Sequence, residues 1–260
     1  MRRRRFLHSL SLFGVLFFAI TPSHAENAKS AARVGIKSGI YSPLFREPDE
    51  VDRKIQSFAL DQRAVTRRQF AEFLKQKPEY SPGRIASRLA DKNYLEGWKD
   101  NSPPQGTEDL PVSNVSWFAA RAYCKQQGGR LPTVDEWEFA ADAQNPANLK
   151  KILDWYAKPA DELPQSSDLK PDGRGLIGMH GVIWEWTEDF SSVLIQGDSR
   201  SSNDTSNNFC GAGALNAKRP NEYATFMRFA FRSSLRAASS ARSLGFRCAY
   251  DSPTSQEKPK

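Results

Sequence analysis

Residues 128–141 read GGRLPTVDEWEFAA and place three acidic residues around one tryptophan, directly after a pair of glycines. Two interpretations are open: a catalytic cluster of carboxylates, or the first turn of a helix. Thr133, with Glu136 three positions later, matches the capping box that begins many helices. Asp135 favours the positive N-terminal end of the same helix, and Glu138 faces another direction than Glu136. The pattern therefore predicts a helix with structural acids, and catalysis is the alternative.

Helix starts and loops are also marked outside this stretch. Thr66 and Gln69 form a second capping box. Ser116 begins another predicted helix, which ends at the glycine pair. Residues 98–109 and 197–208 are rich in Ser, Asn, Asp and Gly or Pro, a composition that is typical of long surface loops. Together with six tryptophans and sixteen prolines, these patterns predict a mixed, loop-rich domain.

Residues 1–25 have the pattern of a secretory signal peptide, with a basic start, an apolar run and a small-x-small cleavage site. The string RRRFLH fits the twin-arginine pattern with His8 in the place of lysine, and ordinary secretion is the alternative. We therefore expect an exported, periplasmic protein. Residues 26–33 are expected to form a flexible lead-in and 251–260 a disordered tail. No later stretch is apolar for long enough to span a bilayer.

Charge and histidine content exclude two classes of function. Because the signal peptide carries four arginines and no acidic residue, the net charge of +7 falls to about +3 in the mature chain, which gives no reason to expect a nucleic-acid partner. Of the three histidines, only His180 lies in the mature chain. A mononuclear metal site with two or three imidazole ligands is therefore excluded within one mature chain.

Four stretches, spread over residues 34–250, occur in an order that resembles the formylglycine-generating enzyme family, also called sulfatase-modifying factors. They are FALDQRAVTRRQFAEFL, LPVSNVSWFAARAYCKQQGGRLPTVDEWEFAA, GLIGMHGVIWEWTEDF and RSLGFRCAY. The resemblance implies an α+β fold with one compact domain over residues 34–250. It also implies little regular secondary structure and a core related to C-type lectin folds.

The copper centre of the family is not expected here. Members that oxidise a substrate cysteine to formylglycine resemble one another in a Gly-Gly-Ser-Trp-like strand followed by two cysteines, whose thiolates suit copper(I). The corresponding segment is FCGAGALNAKRPNEYATFMRFAFRSS, and no cysteine occurs from Gly211 to Arg247. The three-histidine iron site of the sulfoxide-synthase relatives is not expected either, because only one histidine remains.

The resemblance gives the three cysteines different roles. In exported relatives, the positions of Cys124 and Cys248 look like disulfide partners, and a pair is expected in an oxidising compartment. Cys210 is then the odd thiol. One interpretation is a small buried residue beside a Gly-Ala-Gly strand. The other is a catalytic nucleophile or ligand-contacting thiol at the rim of the family's active-site groove.

A calcium site is implied by the loop before the Trp-Glu-Trp motif. In relatives this loop supplies an Asn side chain, backbone carbonyls and a Glu carboxylate. The matching positions here are Gly178, Gly181, Ile183 and Glu185. Since Gly178 lacks the Asn oxygen, water would have to complete the six to eight oxygen ligands that calcium takes. The alternative is that Glu185 bonds to neighbouring backbone.

Several further residues are candidates for the cleft. His180 is either a hydrogen-bonding histidine or a catalytic base, and Trp184 is either part of the core or a platform for a ligand. A basic set near the C-terminal strands either forms salt bridges or recognises an anionic or peptide substrate through bidentate contacts. Its members are Arg232, Arg236, Arg242 and Arg247.

The resemblance implies an exported accessory or maturation factor without the copper oxidase centre. Its partner would be a peptide, a siderophore-like small-molecule precursor or a partner metalloenzyme, because such relatives occur beside pyoverdine maturation and nitrogen-oxide reductase systems. One alternative is an enzyme of oxidase or transferase type that uses the same cleft with Cys210 as nucleophile or ligand. A lectin-like binding module is the other alternative, and it rests on the fold alone.

Overall fold

The computed structural model describes residues 31–43, 52–142, 145–157, 169–191 and 220–252. All of these residues fall in one compact unit. Most of them lie in turns and loops, and the rest form short helices and short strands. The predicted mixed domain with little regular secondary structure is therefore confirmed. Within the described ranges, no helix combines the length and the apolar character that crossing a bilayer requires.

The helices begin where the sequence predicts, with two additions. They are α1 (Arg67–Gln76), α2 (Trp117–Gln126), α3 (Val134–Ala141), α4 (Pro146–Tyr156) and α5 (Pro220–Ser233), with a short 3₁₀ helix at Pro78–Tyr80. Both predicted capping boxes, at Thr66 and Thr133, are formed reciprocally. Ser116 caps α2 by accepting a hydrogen bond from the backbone of Ala119. Helix α4 was not predicted, although Asn145 caps it and Pro146 follows directly.

The strands are short and form three small sheets. They are β1 (Arg33–Ile36), β2 (Gly39–Tyr41), β3 (Arg53–Ile55), β4 (Phe58–Asp61), β5 (Trp184–Glu185), β6 (Leu244–Gly245) and β7 (Ala249–Asp251). β4 lies between β1 and β7 in an antiparallel sheet. β2 pairs with β3 in antiparallel orientation, and β5 pairs with β6 in parallel orientation. The last pair brings the Trp-Glu-Trp stretch beside the C-terminal stretch.

The structure corrects two predicted boundaries. Arg33 was predicted to be the end of a flexible lead-in, but it pairs with Asp61 as the first residue of β1. Asp251 was predicted to begin a disordered tail, but it pairs with Phe58 and its carboxylate bonds to Arg130. Composition alone predicted that both residues belong to flexible termini. Their pairing with β4, which is distant in sequence from at least one of them, holds them in the sheet.

A disulfide closes the main core. Cys124 on α2 and Cys248 before β7 are joined, and both are fully buried. Around them lies a cluster of aromatic rings in which Phe70 contacts both Tyr123 and Phe246 at centroid distances of 5.9 and 6.1 Å. The pairing is the one that the resemblance implied. It ties the helical half of the core to the central sheet.

Candidate functional site

The acids in the first turn of α3 have structural partners. The Asp135 carboxylate accepts two hydrogen bonds from Arg53 Nη1, at 2.8 and 2.7 Å. The Glu136 carboxylate accepts from the backbone of Thr133 at 2.9 Å and forms a bidentate pair with Arg130. Asp135 therefore links α3 to β3, and Glu136 links the start of α3 to Arg130. The two carboxylates do not form a shared catalytic centre.

The third acid, Glu138, lies in a buried ion cluster that local sequence patterns did not predict. Its carboxylate accepts from Arg228 Nε and Nη2, at 2.9 and 2.7 Å, and from Arg232 Nη1 at 2.9 Å. Burial alone would raise the pKa of Glu138, but the two guanidinium groups outweigh it and lower this pKa to about 2. We call these three residues the Glu138 ion cluster. It contains two positive charges and one negative charge.

A second buried ion pair joins Glu185 and Arg247, whose side chains are completely buried. Arg247 Nε and Nη2 lie 2.8 and 2.9 Å from the two carboxylate oxygens. Trp137 Nε1 donates to Glu185 at 2.8 Å. The remaining Arg247 donors bond to the backbone carbonyls of Asp61, Gln62 and Ile177. This pair fixes β5 to the C-terminal stretch and to the loop after β4.

The expected calcium ligands do not fit a calcium ion in this arrangement. Both oxygens of Glu185 already accept hydrogen bonds, and Arg247 supplies the positive charge beside them. Gly178 and Gly181 have φ values of 67° and 86° and shape the turn before β5. Ile183 is buried among apolar neighbours. Among the described residues, no three His, Cys, Asp or Glu side chains lie together as a metal site.

The described residues do not fit a copper(I) thiolate site. Cys124 and Cys248 are both consumed by their disulfide, so this part of the chain offers no free thiol. Cys210, the candidate nucleophile or ligand, lies outside the described residues. A soft-metal centre of the kind described for the oxidases needs two thiolates, and the described ranges contain none.

His180 is a hydrogen-bonding residue in the structure. Its Nε2 lies 2.9 Å from the carbonyl oxygen of Ala141, and its ring meets Trp137 edge to face at 5.6 Å. Burial and the nearby charge of Arg228 lower the pKa of His180 to about 4. The imidazole is therefore neutral near neutral pH. Because a carbonyl oxygen only accepts, Nε2 carries the hydrogen in this contact and Nδ1 carries the lone pair.

The basic set is divided between the interior and the surface. Arg232 and Arg247 are buried in the two ion clusters already described. Arg232 lies on helix α5, whereas it was expected near a strand, and its guanidinium lies 4.9 Å from the ring of Trp137. Arg242 is exposed and pairs with Glu96 at 3.4 Å. Arg236 is also exposed. The salt-bridge interpretation therefore holds for three of the four arginines.

Four half-buried aromatic rings meet between α4, β5 and α5. Trp184 stacks on Tyr156 at 5.3 Å and on Phe231 at 4.5 Å, with interplanar angles of 11° and 27°. Trp155 packs against the same indole at 4.8 Å. We call Trp155, Tyr156, Trp184 and Phe231 the aromatic surface. All four remain partly accessible, whereas Trp186, two residues beyond Trp184, is fully buried in the core.

The aromatic surface is connected to the Glu138 ion cluster by Tyr156. Its hydroxyl donates to the carbonyl of Ala224 at 3.1 Å and accepts from Arg228 Nη1 at 3.5 Å. Burial raises the pKa of Tyr156, so the phenol stays protonated. Partly accessible flat rings of this kind suit stacking with a flat partner. Sequence patterns identified Trp184, but they missed its partners on α4 and α5.

Comparisons with known proteins match this chain to one family model and to several curated relatives. The family model described as sulfatase-modifying factor enzyme 1-like domain matches residues 21–252. A formylglycine-generating enzyme of Streptomyces coelicolor is 31% identical, over 56% of this chain and 54% of that protein. The inactive C-alpha-formylglycine-generating enzyme 2 of Bos taurus is 28% identical, over 57% of this chain and 66% of that protein. The chain thus spans between about half and two thirds of these relatives.

Among solved structures, PvdO from Pseudomonas aeruginosa aligns with a TM-score of 0.49 and 18% identity, over 84% of this chain and 94% of that chain. The family model covers nearly the whole chain and includes every helix and strand described above. The relatives include one protein named formylglycine-generating enzyme and one named as inactive. The chain therefore belongs to the family of the sulfatase-modifying factor enzyme 1-like domain.

Proposed function

We propose that this protein is an exported accessory or maturation factor of its family, without the copper oxidase centre, and that it acts by binding in the periplasm. Its partner is a peptide, a siderophore-like small-molecule precursor or a partner metalloenzyme. The observation that carries the proposal is the aromatic surface, where four partly accessible rings pack together beside a buried cluster of excess positive charge. A core related to C-type lectins stays a prediction.

The metal chemistry of the described residues supports binding over oxidation. Among the described residues, Cys124 and Cys248 are held in a disulfide, and Glu185 is held by Arg247. Both described cysteines are therefore unavailable to a soft redox metal, while Cys210 lies outside the described residues. A protein with such a centre needs ligands that are free to bind.

The geometry of the aromatic surface supports recognition of a peptide or a peptide-like molecule. Tryptophan, tyrosine and phenylalanine supply large contact areas at a small cost in side-chain entropy, because their rings have few rotatable bonds. In this structure the rings are already stacked on one another, so that cost is lowered further. Aromatic residues in such preformed clusters dominate binding energies in other interfaces.

Replacing Trp155 by alanine is expected to weaken peptide binding at least tenfold, because a partner loses one of the two indoles of the aromatic surface. Peptides would be selected on the immobilised mature protein from a random heptapeptide library. The dissociation constant of the best peptide would then be measured by calorimetry for the wild type and the variant. Thermal unfolding of both proteins would be recorded in parallel.

Trp98→Ala is the matched control, since Trp98 is also half-buried but packs against Phe70 in the main core. This variant is expected to bind the selected peptide as the wild type does. Cys210→Ser is expected to retain binding as well. The proposal would be contradicted by a library that yields no enriched peptide, or by equal affinities of Trp155→Ala and the wild type. If the wild type showed an oxidase or transferase activity that Cys210→Ser lacked, the result would favour the alternative of an enzyme with Cys210 as nucleophile or ligand.

A further inference from the structure

A small polar cavity lies outside the elements that form the aromatic surface. Its volume is about 290 Å³, and it is lined by Ser81, Pro82, Arg84, Asp100 and Asn101. Two segments contribute its walls: the turn that follows the 3₁₀ helix, and a tight turn about twenty residues later. Ligand pockets begin at about 300 Å³, so the volume suits a molecule of a few heavy atoms.

The two charged groups at this cavity are left unpaired by the fold. Within the described ranges, neither the Arg84 guanidinium nor the Asp100 carboxylate takes part in a hydrogen bond or an ion pair, although they line the same cavity. Elsewhere in the fold, many arginines and acids pair with one another, including Arg68 with Asp109 on the surface. Because the Arg84 guanidinium and the Asp100 carboxylate do not contact each other, each can pair with a charged group of a ligand.

A buried hydroxyl with an unused bonding capacity belongs to the same cavity lining. Ser81 is 4% exposed, and its Oγ has no hydrogen-bond partner in the described part of the chain. Most buried polar atoms in proteins have a partner, and an exception requires a physical reason. The backbone of Ser81 is fixed, since its carbonyl accepts from the amides of Arg84 and Ile85 at 3.0 and 3.1 Å.

The opposite wall is held in an unusual backbone conformation. Asp100 and Asn101 have φ values of 47° and 64°, the left-handed region that few residues other than glycine adopt. Lys99 and Ser102 exchange both of their backbone hydrogen bonds, at 3.0 and 2.8 Å, and so close the turn around them. The turn places Asp100 and Asn101 next to each other in the cavity lining.

We propose that this cavity is a binding site for a small zwitterion of the α-amino acid class. The ligand carboxylate pairs with the Arg84 guanidinium, whose fork of N–H donors matches two carboxylate oxygens. The ligand ammonium group pairs with the Asp100 carboxylate. The Asn101 amide and the Ser81 hydroxyl complete the polar lining. A molecule that carries only one of the two charges leaves either Arg84 or Asp100 without a partner, so it binds more weakly.

The experiment is a thermal-unfolding screen of the mature protein with the common L-amino acids, followed by calorimetry on the best one. Acetate and methylamine, each carrying one of the two charges, are the matched probes. At saturating concentration, at least one amino acid is expected to raise the unfolding temperature by about 2–4 °C. The two fragments are expected to raise it by less than half of that amount.

Arg84→Gln and Asp100→Asn are each expected to weaken binding of the best amino acid at least tenfold. Asn keeps the left-handed backbone of position 100 accessible, so the second variant preserves the turn. Arg88→Gln is the control, since Arg88 is exposed four residues beyond Arg84 and does not line the cavity. The proposal is overturned if no amino acid shifts the unfolding temperature, if both cavity variants bind like the wild type, or if Arg88→Gln weakens binding equally.

Discussion

Replacing both Cys124 and Cys248 by alanine is expected to lower the free energy of unfolding by about 4–5 kcal/mol. The two cysteines are 124 positions apart in the sequence, and a link across a loop of that length removes a large amount of chain entropy from the unfolded state. The change would be measured by urea unfolding of the mature protein under non-reducing conditions, followed by tryptophan fluorescence. We expect a lower midpoint of the unfolding transition.

The single variants serve as controls for this result. Cys124→Ala and Cys248→Ala break the same bond, so each is expected to cost nearly as much as the double variant, and the effects are not additive. A loss below about 1 kcal/mol in the double variant would contradict the importance of the link, because the loop-entropy estimate exceeds it severalfold. Equal free energies of unfolding for the reduced and the oxidised wild type would also contradict a stabilising role of the disulfide.

Replacing Glu138 by alanine is expected to lower the free energy of unfolding by about 3–5 kcal/mol. The change leaves Arg228 and Arg232 buried without their carboxylate, and an uncompensated buried charge is costly. Chemical unfolding at neutral pH would measure the loss. Glu72→Ala is the matched control, since Glu72 forms an exposed pair with Lys75 and is expected to change stability by less than about 1 kcal/mol.

A triple variant tests whether the charges themselves cause the loss. Replacing Glu138, Arg228 and Arg232 together by Met or Leu removes the whole ion cluster. Apolar replacement of a complete buried cluster is often neutral or stabilising, so the triple variant should be more stable than Glu138→Ala. If Glu138→Ala were as stable as the wild type, the cluster described here would have no role in holding α3 to α5.

The local parts of the fold could be predicted from sequence. The capping boxes at Thr66 and Thr133 involve residues three positions apart, so both partners are visible in one short window. Helix α4 could have been found in the same way, from Asn145 and the following proline. The ends of the sheet could not, because β1 and β7 are ordered only by strands that are distant in sequence.

The site was less predictable, because its contacts join residues that are far apart in the chain. Glu138 and Arg228 are separated by 90 positions, and nothing near either residue indicates the other. The resemblance offered Glu185 as a possible calcium ligand, and its charged partner in the structure is Arg247, 62 positions later. Trp184 was identified in its motif, but only the packing of α4 and α5 brings Trp155 and Phe231 to it.

We propose that the protein retains the family fold without the copper oxidase centre. Native mass spectrometry of the mature, non-reduced protein, after anaerobic exposure to copper(I) and thiol alkylation, tests it most directly. The account predicts a metal-free protein with one alkylated thiol at Cys210 and an intact link between Cys124 and Cys248. One tightly retained copper(I) ion per chain, protecting Cys210 from alkylation, would contradict it.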